Sequence, residues 1–438
     1  MSAESGPPRG AADPIFAAFC AAGLWPGLGR ALSEALGEAG IGSPDDVSAE
    51  ALRRLPRVGA QRAGRLLSGF LQAAPAYELV ELLVPAGVDA RLAGRAVDLL
   101  GPAAPRAVRD DPWVLLQLPG VTPLQADKVA VAAVPGIRRD DPRRSRALVG
   151  WLLARRARDG HTAAPAQQIA AGLRGLGVAD PAAAIEAACA AGLVIAGAAD
   201  GPPGGSGAEA GSGGAETGDS PLLGLARYVQ AEDGVAKGIA RLLEAAEPIP
   251  VVQARLSAAR AGTDEHALDE AQLQAVANAM SAGVSLLTGG PGTGKSRTVA
   301  RIVQLAEQAG RSVALAAPTG RAAKRLEQLC GAPAVTLHRL LGAQPRRAAD
   351  PDGGEVSFDG GFARGPGWPL DEDVVVVDEA SMLDVELADA LVSAVPDGAH
   401  LVFVGDPAQL PSIGPGRVLG DLLDAGVLPA TQLSTLYR

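Results

Sequence analysis

The chain has 438 residues, 47% of them hydrophobic and 20% charged, which supplies packed cores and excludes disorder throughout. The formal net charge is -10, so any nucleic-acid binding must rest on local basic patches. Aromatics are only 3%, which predicts cores of Ala, Leu and Val, and the length suggests about three domains. No run of about 18 apolar residues occurs, which argues against a membrane span. Cys20, Cys189 and Cys330 are too far apart for a metal or disulfide framework, which points to a reducing interior and a cytoplasmic protein.

In chain order, the apolar stretch Pro14–Trp25 reads as a buried first helix. Glu4, Arg9 and Asp13 do not form the basic leader of a signal peptide. A repeat of about 30 residues follows: Pro26-Gly27-Leu28-Gly29, Pro56-Arg57-Val58-Gly59, Ala86-Gly87-Val88-Asp89 and Pro119-Gly120-Val121-Thr122. Each is followed by a small residue (Ser33, Ala63, Ala93, Ala126) and then an apolar one (Leu36, Leu66, Ala96, Val129), giving helix, tight turn, helix. Residues 1–140 thus resemble tandem helix-hairpin-helix motifs, whose turns offer backbone N–H groups to DNA phosphates. The second copy carries Arg53, Arg54, Arg57, Arg62 and Arg65 with no acid beside its turn, so Arg57, Gly59, Arg62 and Arg65 are candidate DNA contacts. Asp89 is unfavourable beside a phosphate and marks the third copy as structural. A helical scaffold or protein-docking module remains the alternative.

Residues 141–199 read as a helical, winged-helix-like unit with a basic first helix and a closing strand at Leu193–Ala196. Residues 200–220 are Gly, Pro, Ser, Ala and Glu with no basic residue, and read as a flexible linker. A helical connector is expected over 221–263. From 264 to 438, apolar strand-like runs alternate with helical stretches, the pattern of a parallel α/β sheet.

The strongest motif follows the strand-like Val284–Thr288: Gly289-Gly290-Pro291-Gly292-Thr293-Gly294-Lys295-Ser296, then Arg297. It fits the P-loop pattern, in which backbone N–H groups wrap nucleotide phosphates, the Lys reaches the outer phosphates and the Ser hydroxyl holds Mg²⁺. The 39 basic residues include only four lysines, Lys128, Lys237, Lys295 and Lys324, and one of them falls here. Four valines, Val374–Val377, run into Asp378-Glu379; Asp378 is the expected metal partner, and Glu379 orients or deprotonates the attacking water. Strands at His400–Val404 and Ser312–Ala317 deliver Gly405-Asp406-Pro407-Ala408-Gln409 and Pro318-Thr319-Gly320-Arg321. All four polar motifs therefore lie at strand carboxyl ends, where open α/β sheets bind ligands.

Taken together, these motifs resemble the RecD-like 5′→3′ DNA helicases of superfamily 1, tightly over 266–438 and loosely before it. The resemblance implies a P-loop, RecA-like parallel-sheet motor domain preceded by all-α helix-hairpin-helix and winged-helix-like domains. It implies ATP and Mg²⁺ as cofactors, and single-stranded DNA and single-strand/duplex junctions as partners, with no membrane. Gln272 is similar to the adenine-reading amide, Gln409 to the γ-phosphate sensor, and Arg438 to the arginine of motif IV. Pro318, Thr319 and Arg321 match the single-strand contacts of motif Ia, and His338 the adjoining DNA segment. The family requires a second RecA-like domain, so the chain is expected to be an N-terminal portion of a longer protein, weakly active or inactive by itself. A non-catalytic DNA-binding protein with a nucleotide-switch domain stays open as the alternative.

Overall fold

The computed structural model describes residues 13–197, 220–250, 268–343 and 361–437. The chain divides into two compact units, Met1–Trp151 with Leu173–Ala188, and Leu152–Gly172 with Cys189–Arg438.

The first unit is helical. Its elements are α1 (Pro14–Ala21), α2 (Arg30–Glu34), α3 (Ala49–Leu52), α4 (Ala60–Gln72), α5 (Ala74–Leu83), α6 (Leu92–Leu100), α7 (Ala104–Asp110) and α8 (Pro123–Ala133). Every expected tight turn has its second residue in the left-handed region: Gly27 (φ 84), Arg57 (φ 61), Gly87 (φ 67) and Gly120 (φ 84). The small residues Ala63, Ala93 and Ala126 are fully buried, so the second helix of each pair lies close to the first. A further turn of the same kind, absent from the repeat read in the sequence, occurs at Gly136 (φ 77), where Ile137 N–H donates to Val134 O at 3.3 Å. The expectation of a purely aliphatic core needs correction here. Phe16, Phe19, Trp25, Phe70 and Tyr77 form one cluster, with Phe16–Trp25 ring centroids 6.1 Å apart and Trp25–Phe70 centroids 4.8 Å apart. The Trp25 indole N–H donates to Leu66 O at 2.8 Å, so the ring buries its area with its polar atom satisfied.

Next come α9 (Pro142–Arg158), β1 (Ala163–Pro165), α10 (Ala166–Gly175), α11 (Pro181–Ala190), β2 (Val194–Gly197) and β3 (Leu222–Leu225). The three strands form an antiparallel sheet in the order β1-β3-β2, with Val194 opposite Leu225. Residues 200–220, expected to link two domains, therefore connect paired strands of one sheet; all of them but Ser220 lie outside the described residues.

The expected connector over 221–263 is also revised, over its described part to residue 250. It contributes β3 and then α12 (Ala226–Ala245), which buries Ala231, Val235, Ile239 and Leu242 against the large sheet. A methyl group on Gly234 would stand 2.0 Å from an Asp389 carboxylate oxygen, and one on Gly238 2.3 Å from Val392. Glycine at both positions permits this close helix approach.

The remaining elements are α13 (Glu270–Ser281), β4 (Val284–Gly289), α14 (Lys295–Gln308), β5 (Val313–Ala317), α15 (Gly320–Cys330), β6 (Ala334–Thr336), α16 (Leu337–Leu340), β7 (Val374–Val377), α17 (Val385–Ala394), β8 (His400–Gly405), α18 (Val418–Ala425) and β9 (Ala430–Leu433). Six strands form a wholly parallel sheet in the order β6-β5-β7-β8-β4-β9. Its two faces have separate cores. Val375 and Val377 enter one with α12 and α17, while Val374 and Val376 enter the other with α13 and α14. The valine run is thus apolar at every position because both faces are covered. Among the described residues no helix is long and apolar enough to cross a membrane.

Candidate nucleotide and nucleic-acid site

The P-loop connects β4 to α14, and its shape is set by backbone demands that only glycine meets well. Gly292 (φ 81) and Gly294 (φ 87) occupy the left-handed region. A methyl group on Gly294 would also lie 2.4 Å from Gln272 Nε2 and 3.4 Å from the Tyr437 ring. The buried Thr293 hydroxyl donates to Gly290 O at 2.8 Å and closes the loop on itself. Lys295 Nζ donates to the carbonyls of Gly289 and Gly290, at 3.0 Å to the latter.

Gln272 is fully buried on the first turn of α13. Its Oε1 accepts from Asp269 N–H at 3.1 Å, completing a capping box, while its Nε2 has no partner. A buried unpaired amide costs on the order of 1–3 kcal/mol, so this donor is available to an acceptor that enters beside the P-loop. After β9 the chain crosses the loop. Tyr437 N–H donates to Gly292 O at 2.9 Å, its hydroxyl donates to an Asp269 carboxylate oxygen at 2.7 Å, and the Arg297 guanidinium lies 5.9 Å from its ring centroid. Arg438 lies outside the described residues.

Asp378 and Glu379 leave the carboxyl end of β7. Burial pushes the Asp378 carboxyl above its ordinary value; the Glu379 N–H, at 2.9 Å, and the Lys295 and Arg325 charges oppose that shift. Glu379 is left-handed (φ 54, ψ 39), a conformation costing a non-glycine residue about 1–2 kcal/mol. Such strain at a functional turn fixes the direction of a side chain. Asp378 and the Ser296 hydroxyl are hard oxygen donors of the kind Mg²⁺ takes alongside substrate phosphates, so the residues present fit that ion.

Strand order places the last nucleotide motif. Because β8 lies between β7 and β4, its terminal loop rises between the acidic pair and the P-loop. Asp406 is buried there and accepts from Ala408 N–H at 3.1 Å and from Gln409 Nε2 at 3.3 Å, while Gln409 itself is exposed. Ser412 Oγ donates to Gly414 O and Gly416 O at 2.6 and 3.0 Å, and Val385 N–H donates to Pro415 O at 3.0 Å, which pins the loop's far end.

On the other side of β7, β5 and β6 are neighbours, with Ala317 opposite Thr336. Thr319 caps α15, accepting from Ala322 N–H at 3.2 Å, and Thr336 caps α16, accepting from Arg339 N–H at 3.2 Å. Arg321, Lys324 and Arg325 are exposed on the first turns of α15, and no ion pair among the described residues engages them. His338 is half-buried with its ring 6.0 Å from Phe362; burial lowers its pKa against the pull of Asp384.

The chain matches two protein families: the AAA domain over residues 272–415 and the ATP-dependent RecD2 DNA helicase HHH domain over residues 73–163. A RecBCD enzyme subunit RecD from Mycobacterium tuberculosis is 40% identical over 229 residues, covering 47% of this chain and 36% of that protein. An ATP-dependent RecD2 DNA helicase from Deinococcus radiodurans is 42% identical over 153 residues, covering 35% of this chain and 19% of the relative. Over these spans the chain resembles RecD and RecD2 proteins. The matched part of the chain spans about a third of the length of the first relative and about a fifth of the second. The solved Pif1 helicase from Candida albicans is similar at 24% identity, covering 39% of this chain and 40% of that one with a TM-score of 0.27.

Lys295, Ser296, Asp378, Glu379, Gln409, Pro318, Thr319, Arg321 and His338 all lie at or beyond the carboxyl edge of one sheet. Gln272 reaches the same edge from α13. Arg57, Gly59, Arg62 and Arg65 form a separate group on the α3–α4 hairpin, all exposed. That hairpin precedes the span matched by the HHH family. Tyr437 is a candidate site residue to which the sequence pattern assigned no role. Its signal was its place beside Arg438, which resembles the arginine of motif IV.

Proposed function

We propose that the chain is the ATP-binding, single-strand-gripping part of a RecD-like 5′→3′ DNA helicase motor. The observation that carries this is the strand order: P-loop, Gln409 loop, acidic pair and basic α15 follow one another along a single carboxyl edge. Gln272 Nε2 and the Tyr437 ring frame the base, and the P-loop amides with Lys295 hold the phosphates. Ser296 and Asp378 would hold Mg²⁺, which when bound would supply charge neutralisation at the outer phosphates. Glu379 orients the attacking water and accepts its proton, and Gln409 exchanges Asp406 for the γ-phosphate. The basic face of α15 holds the backbone of one strand, and the hairpins of the first unit add contacts to phosphates that carry no base code. Translocation polarity rests on the family resemblance, as does preference for single-strand/duplex junctions; the cytoplasm is the proposed compartment.

Binding measurements on two variants test this reading. Lys295→Ala should lose most Mg-ATP affinity and keep single-stranded DNA binding. Arg321→Ala/Lys324→Ala/Arg325→Ala should keep Mg-ATP binding and weaken DNA binding, with the log affinity–log salt slope falling by up to ~0.7 per contact removed. Unchanged affinities in both variants would contradict the proposal.

A further inference from the structure

Of the four tryptophans, Trp25 and Trp113 are buried and Trp151 is half-buried, whereas Trp368 is 58% exposed. Trp368 is also held rigidly. Gly365 and Trp368 exchange both backbone hydrogen bonds, at 3.1 and 3.0 Å, around Pro366-Gly367. Proline then glycine at the centre of such a turn presets the backbone. The Arg364 guanidinium lies 4.3 Å from the indole centroid and is itself fixed by donating to Pro369 O at 2.6 Å and to Asp371 at 3.0 Å. One ring face is therefore covered by a cation locked in place.

Both ends of the segment are anchored. Arg364 N–H donates to Leu341 O at 3.0 Å and Ala363 N–H to Gly342 O at 3.2 Å, directly behind the α16 helix that bears His338 and Arg339. Leu370, two residues beyond the tryptophan, is buried, and its N–H donates to Ala394 O at 2.8 Å. The exposed neighbours on the turn are Pro366 and Gly367, so no broad apolar patch surrounds the ring.

We propose that Trp368 is a base-stacking residue for single-stranded DNA, a contact beyond motif Ia and the His338 segment. The inference rests on the proposed DNA-motor reading and names a further binding residue within it. A rigid, flat π-face loses little conformational freedom on binding, and an unpaired base offers a matching face. Duplex bases are already stacked on one another. Stacking of this kind tolerates any base and adds to the sequence-independent phosphate grip.

The test is titration of the full chain with a dT oligonucleotide, read by intrinsic tryptophan fluorescence and by anisotropy of a labelled oligonucleotide. The three other tryptophans supply a background that DNA should not quench. Wild type should be quenched, and Trp368→Leu, which keeps apolar bulk without a π-face, should bind roughly 5- to 150-fold more weakly. Trp368→Phe should recover part of the affinity, and a matched duplex should show no Trp368-dependent quenching. Arg321→Ala separates the two readings. If it weakens binding while Trp368→Leu binds as wild type, the stacking inference is overturned and the motor reading stands. If wild type does not bind the oligonucleotide, both fall.

Discussion

The Tyr437 hydroxyl donates a 2.7 Å hydrogen bond to the Asp269 carboxylate, joining positions 168 residues apart. Asp269 also caps α13 by accepting from Gln272 N–H at 2.8 Å, so one carboxylate orients both groups proposed to frame the base. Burial alone would raise the Asp269 carboxyl, yet the bonds from Tyr437 and from backbone N–H groups bring it below its usual range. Tyr437→Phe keeps the ring and should change ATP affinity by less than about threefold. Tyr437→Ala removes the stacking face and should weaken ATP by roughly tenfold. Calorimetric titration with Mg-ATP checks both; equal affinities for wild type and the alanine variant would remove Tyr437 from the site.

The P-loop glycines differ in what they tolerate. Gly294→Ala forces a methyl group into the left-handed region and toward Gln272 Nε2, a strain of about 1–3 kcal/mol. It should lower the melting temperature and abolish ATP binding. Gly290 has nothing within 4 Å of an added methyl group, so Gly290→Ala should leave the melting temperature unchanged. Thermal denaturation of the two variants decides the point, and equal melting temperatures would count against it.

Arg57 allows stability and binding to be separated. It holds at φ 61 a turn position that glycine occupies in the other copies. Arg57→Gly should stabilise the protein by about 0.5–1 kcal/mol while removing one cation from the hairpin. Replacing Arg57, Arg62 and Arg65 together by Ala should lower the salt slope of duplex binding by up to ~0.9 per lost contact. An unchanged slope would mean that this hairpin faces something other than DNA.

An ion pair between a buried arginine and a partly exposed carboxylate secures the first unit. Arg144, 2% exposed, donates to both Asp127 oxygens at 2.8 and 2.9 Å, and Trp113 Nε1 donates to Asp127 at 2.8 Å. Removing one partner of such a pair typically costs about 3–5 kcal/mol, and Asp127→Ala should do so in chemical denaturation. Burial opposes ionisation of Asp127, but hydrogen bonds from Arg144 and Trp113, with the Arg144 charge, hold its pKa below the ordinary value. With the folded pKa depressed, the stabilisation is complete above pH of about 4, the unfolded carboxyl range. It is lost as pH falls through the lower native value. Wild type should therefore lose stability over that acid window more steeply than Asp127→Ala; identical pH profiles would contradict this.

What the sequence revealed was mainly local. The P-loop glycines answer a backbone demand that neighbouring residues impose, and Val374–Val377 announces a strand covered on both faces because no polar residue interrupts it. The hairpin turns were legible from proline, glycine and small-residue spacing, but the turn at Gly136 escaped because its following helix starts only at Pro142. Long-range pairings were not legible. Nothing local to Gly234 or Gly238 signals the helix bearing Asp389 and Val392. Glycine- and serine-rich composition at 200–220 likewise says nothing about the strands on either side being paired. Average composition also hid the aromatic cluster, because a few scattered rings become a core only once α1, α4 and α5 bring them together.

Phosphate release from Mg-ATP, followed with and without single-stranded DNA, tests the motor reading most directly. This chain by itself should turn over feebly; in a protein that also carries the second RecA-like domain the family requires, DNA should raise the rate. Lys295→Ala should abolish release by losing nucleotide, and Glu379→Gln should bind ATP normally yet turn over about 10²-fold more slowly or worse. Release by the two-domain protein that DNA leaves unchanged, or that persists there in Glu379→Gln, would contradict the account and favour a nucleotide-switched DNA-binding protein.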